Sequence, residues 1–141
     1  MSAVMVLLVV GGLILAFRTV LAPAPEVIAR IEAENVAYQA LDEGDYPSAL
    51  AALETGLSQV PGDPNLLLLQ GVVQEVLGAE AEAAASFALA QANLADPLAL
   101  YLGRSQLELR VNQPEKAEAD ARAALEIDGS SASAWLLLGQ A

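Results

Sequence analysis

Residues 2–17 carry no charged side chain, and the apolar run continues past Arg18 through Val20, Leu21 and Ala22 before Pro23 and Pro25 interrupt it. From Arg30 onward the pattern changes to one that repeats. Ala37, Gly71, Ser105 and Gly139 are spaced by 34 residues, as are Ala49, Ala83 and Ala117, and all seven are small. Gly56, Ala90 and Ala124 form another small series, while Leu67, Tyr101 and Trp135 place large side chains at the same interval. Gly44, Gly78 and Asn112 also fall 34 apart, each able to take the left-handed conformation that closes a helix and opens a tight turn. A fixed period of this length predicts stacked helical hairpins whose axes approach closely where side chains are short.

The N-terminal run is read separately. Val4–Ala22 would span roughly 28 Å as a helix, close to the ~30 Å hydrocarbon core of a bilayer, and predicts one membrane-spanning anchor helix over residues 1–22. Val4, Leu7, Leu8, Leu15 and Phe17 would face lipid. Gly11 and Gly12 would permit close approach of a neighbouring helix, and Arg18 would snorkel to the headgroups. A cleaved signal peptide fits less well, because no Lys or Arg precedes the run. A buried soluble helix fits poorly too, since the segment has no polar face. Arg18 and Arg30 follow the span, so the positive-inside tendency places the repeat domain in the cytoplasm rather than the periplasm or extracellular space.

These residues resemble the tetratricopeptide repeat family. The resemblance divides the chain into a linker and helix start at 23–29, full units at 30–63, 64–97 and 98–131, and the first helix of a partial fourth unit at 132–141. It implies an all-α, right-handed solenoid of helical hairpins, with Ala49, Gly71, Ala83, Phe87, Ala90, Tyr101, Ser105, Ala117, Ala124, Trp135 and Gly139 packing the repeats. Three departures stand out: Ala33 replaces a large residue in unit one, and Gln70 and Arg104 replace apolar ones in units two and three. The helix signals agree with these limits. Asp63-Pro64 and Asp96-Pro97 each supply a side-chain N-cap followed by proline at the first helical position, and Pro114 suits another helix start. Trp135-Leu136-Leu137-Leu138 begins a helix with no partner helix after it. The expectation is that the native polypeptide continues past Ala141 or that another subunit covers this end.

The family's concave face, formed by the first helices, maps here onto Glu34, Tyr38, Leu68, Leu69, Val72, Leu102, Gln106, Leu109 and Leu136, with Asn35 and Arg110 beside them. The resemblance implies protein partners bound on this face. Asn35 and Arg110 are the only matches to the basic clamp with which some relatives hold a C-terminal carboxylate, so that mode is not expected. An apolar centre with acidic groups toward the N-terminal end favours an amphipathic helix or an extended apolar segment with a few basic residues.

Composition narrows the chemistry further. The 141 residues include 29 Ala and 25 Leu, consistent with a helical protein, and a formal charge of −12. All 18 acidic residues lie at or after Glu26, together with five of the six basic ones. This acidity opposes nucleic-acid binding, which relies on Lys and Arg at phosphates. Without Cys or His, thiol nucleophiles, Ser-His triads and the usual zinc, haem and iron–sulfur ligands are excluded. Glu80–Glu82 and the Glu115–Asp120 run read as solvated outer faces, and no calcium loop, cofactor or catalytic constellation is expected. The sequence therefore predicts a non-enzymatic scaffold anchored in the lipid bilayer. Its expected role is an accessory subunit of a larger membrane complex, such as an electron-transfer or photosynthetic assembly. The alternative is an assembly or translocation chaperone for secreted or membrane proteins.

Overall fold

The computed structural model describes residues 23–141. The proposed span at 4–22, including Val4 through Arg18, lies outside the described residues. Among those described, no helix is long and apolar enough to cross a membrane.

Seven helices follow one another: α1 Pro25–Asp42, α2 Tyr46–Gln59, α3 Pro64–Val76, α4 Glu80–Asn93, α5 Pro97–Arg110, α6 Pro114–Ile127 and α7 Ala132–Gln140. α1 pairs with α2, α3 with α4 and α5 with α6, so the 34-residue period does correspond to hairpins. The first helices α1, α3, α5 and α7 also neighbour one another in order, forming one layer of the solenoid.

Local chemistry sets the helix ends. Asp63 accepts from the amides of Asn65 and Leu66, and Asp96 accepts from that of Leu98, each just ahead of the proline that opens the helix. Within each hairpin the turn is the same. Gly44, Gly78 and Asn112 have φ of 75°, 78° and 58°, and the next amide reaches back to a carbonyl five residues earlier, at 2.8 Å in all three cases. That bond occupies a helix carbonyl that would otherwise lack a donor. α1 begins at Pro25, within the 23–29 segment read as linker and helix start.

The small series is buried where two helices meet. Ala37, Ala49, Ala90, Ala117 and Ala124 are fully enclosed, and Ala83 nearly so. Gly71 lies against the Phe87 ring so closely that a β-carbon there would overlap it. Ser105 occupies the equivalent position in the third unit, and its buried hydroxyl donates to the Ala117 carbonyl at 2.9 Å. Tyr101 is half-buried. Two expected packing residues do not pack. Trp135 is 57% exposed, with only its indole Nε1 donating to Gly129 O, and Gly139 has no neighbour within 4 Å of where a β-carbon would sit. Both sit on α7, and among the described residues no further helix covers them.

The two polar departures have partners. Gln70 and Gln74 accept from the Ser86 hydroxyl at 3.2 and 2.8 Å, while Arg104 Nε lies 2.8 Å from Asp120 Oδ2. Positions 70 and 86 become 104 and 120 after one period, so a neutral polar pair in unit two is replaced by an ionic pair in unit three. In unit one the same two positions are Val36 and Ala52, which line an open cleft of about 320 Å³. The expected solvated face at 115–120 therefore needs correction: Glu115 is exposed, but Asp120 is buried against Arg104, and Lys116 reaches Glu75 at 3.2 Å.

Candidate functional site

The layer of first helices encloses a groove of about 570 Å³. Glu34 and Tyr38 reach it from α1, Asn65 and Leu68 from α3, Gly103, Gln106, Leu107, Leu109 and Arg110 from α5, and Gln140 from α7. Its wall is about equally polar and apolar, which suits a peptide backbone bordered by apolar side chains.

Five of the expected concave residues meet here: Glu34, Tyr38, Leu68, Gln106 and Leu109. Four do not. Leu69 and Val72 are 1% and 0% exposed and belong to the core, so a partner has no access to them. Consecutive helical residues point about 100° apart, and Leu69 turns inward beside Leu68. Leu102 is half-buried outside the groove lining, and Leu136 is exposed on α7 away from it. Sequence reasoning missed Asn65, Gly103, Leu107 and Gln140. Gly103 lies one period after Leu69, and with no side chain of its own it leaves room for Leu68, whose Cδ1 would be 3.4 Å from a β-carbon there.

One contact organises the electrostatics. Arg110 on α5 reaches across to α1, donating from Nε and Nη2 to Asp42 Oδ1 and Oδ2 at 3.1 and 2.8 Å, with its guanidinium 4.7 Å from the Tyr38 ring centre. Burial, aided by the Glu34 carboxylate and opposed by Arg110, raises the Tyr38 phenol above its ordinary value. The phenol therefore stays protonated and available as a donor. Glu34 accepts from Arg30 Nη1 at 2.9 Å, outside the groove lining. Arg110 is the single cation among the groove-lining residues, and two carboxylate oxygens already engage it. Among the described residues no group of acidic side chains is arranged to hold a metal ion.

The Tetratricopeptide repeat family profile matches residues 37–96 and 102–141. No curated protein matches the chain. Among solved structures it is similar to the Arabidopsis OM64 TPR domain, at 14% identity and a TM-score of 0.56, covering 82% of this chain and 95% of that one. It is also similar to the TPR2B domain of yeast Sti1 in complex with pHsp70, at 18% identity and a TM-score of 0.54 over 80% of this chain and 95% of that one. The first TPR of Spaghetti (RPAP3), bound to the HSP90 peptide SRMEEVD, aligns at 19% identity and a TM-score of 0.51, with coverage of 82% and 88%. At these identities the likeness speaks for the fold, and the profile match over most of the chain establishes the lineage: this protein belongs to the tetratricopeptide repeat family, a family of protein-interaction scaffolds.

Proposed function

We propose that this protein is a membrane-anchored, non-enzymatic scaffold that holds a segment of a partner polypeptide in the groove between Tyr38, Leu68 and Leu109. The uncharged run at 2–17 supports the anchor, and Arg18 and Arg30 support a cytoplasmic repeat domain. The accessory-subunit role in a larger membrane complex rests on that anchor, which would raise the local concentration of a membrane partner so that modest groove affinity suffices.

The observation that carries the binding mode is the state of Arg110. The solved Spaghetti domain holds a peptide ending in acidic residues. Here the groove's cation is engaged by Asp42, and Glu34, two turns earlier on α1, adds a carboxylate that Arg30 already engages. An acidic tail would find no unpaired cation among the groove-lining residues. An apolar segment with amide side chains is the complementary ligand.

A photo-reactive amino acid at exposed Gln106 of the full chain, activated in native membranes, tests this reading. The expected product is a crosslink to a membrane-complex subunit that also copurifies in mild detergent, and that Leu109→Arg with Glu34→Lys abolishes. Release of the chain by carbonate washing would refute the anchor. Crosslinks that survive the double substitution would refute the groove.

A further inference from the structure

The junction between the second and third repeats holds charges that the groove does not use. Glu75 of α3, Arg104 and Glu108 of α5, and Lys116 and Asp120 of α6 meet there, and the Phe87 ring of α4 covers the Arg104 guanidinium at 4.3 Å. Arg104 lies 2.8 Å from Asp120 and 3.7 Å from Glu108, while Lys116 pairs with Glu75 at 3.2 Å. Three carboxyl groups thus face two cations. Glu108 is fully buried, and no N–H is directed at either of its oxygens. A buried carboxylate with no cation of its own relieves the cost of its charge by taking up a proton.

We infer that this junction binds one proton, shared between Glu108 and Asp120, and that losing it in alkaline solution loosens the contact between the second and third repeats. With the proton present one carboxyl of the pair is neutral, and the remaining carboxylate together with Glu75 balances Arg104 and Lys116. Burial, reinforced by the charge of Asp120 and opposed by Arg104, pushes Glu108 up to about 7. Burial also pushes Asp120 up to about 6, against the opposing charge of Arg104. The folded state therefore holds the proton more tightly than the unfolded chain, where a glutamate titrates at its ordinary 4.5. The stabilisation is complete below that ordinary value and is lost as pH rises through about 7. Because α5 also presents Gly103 and Leu107 to the groove, the proton bears on the groove floor through a single helix.

The test uses the full chain in mild detergent with side-chain carboxyl carbons labelled. One glutamate signal is expected to titrate near neutral pH and to vanish in Glu108→Gln. The unfolding midpoint should fall as pH rises from about 5 to about 8 in the native chain and stay nearly level in Glu108→Gln. If every glutamate carboxyl of the native chain titrates near its ordinary value, the inference is overturned, whether or not the variant folds. A folded Glu108→Gln protein that keeps the native pH slope would overturn it as well.

Discussion

Between the first and second repeats, Gly56 of α2 lies against Leu66 of α3, which has no solvent exposure. Between the second and third, Arg104 lies over Phe87, pairs with Asp120 and leaves Glu108 enclosed. Both junctions follow the same 34-residue geometry. The first is held by area removed from water, a term that is nearly independent of pH and salt. The second is held partly by charges whose desolvation must be offset by close pairing, so its strength depends on every member being present. Repeat geometry leaves the chemistry of facing side chains within a hairpin open, provided that partners change together. Gln70 with Ser86 in the second hairpin and Arg104 with Asp120 in the third are two such matched pairs.

The largest effect is expected at the apolar junction. Leu66 has no solvent exposure, and Leu66→Ala should cost ~4 kcal/mol, measured by denaturant unfolding. A loss under ~1 kcal/mol would mean that this junction collapses around the cavity and is not the rigid one. Arg104→Met should follow at ~3 kcal/mol, because it leaves Glu108 and Asp120 enclosed without their shared cation and removes the contact with Phe87. Adding the second repeat's pairing, Arg104→Gln with Asp120→Ser, should recover much of that loss. If the coupled change proves no better than Arg104→Met, the matched-pair account fails. Gly71→Ala should cost ~2 kcal/mol, since the added methyl group meets the Phe87 ring beneath Arg104. Arg110→Ala is the smallest: its pair with Asp42 is solvent-exposed, so stability should change by less than ~1 kcal/mol. The same variant frees Asp42 and should further weaken binding of acidic peptides, measured by titration calorimetry against a basic control.

Much of the fold was readable from spacing. The hairpin turns at Gly44, Gly78 and Asn112, the prolines opening α3 and α6, and the buried alanines follow from local conformational limits that hold wherever the helices later sit. The groove was only partly readable. Repeat position identifies the helix face to within about one residue: Leu68 lines the groove, whereas Leu69 and Val72 lie in the core. Trp135 and Gly139 occupy the right register but lack a following helix to press against, so a correct pattern yielded exposed residues. The run at 115–120 looked uniformly acidic and wet because linear composition does not show that Asp120 lies opposite Arg104, 16 residues earlier.

The amino-acid sequence by itself determined that this chain forms helical hairpins at a 34-residue period, where they turn, and which small residues permit their contact. These properties depend on backbone conformation and on interactions within a few residues. The tertiary structure alone decided that Arg110 reaches Asp42 from two repeats away, that Glu108 is enclosed with no cation of its own, and that Gly103 opens the groove over Leu68. Each depends on how far one hairpin is displaced against the next. That displacement arises from summed packing across several helices, and no local segment encodes it.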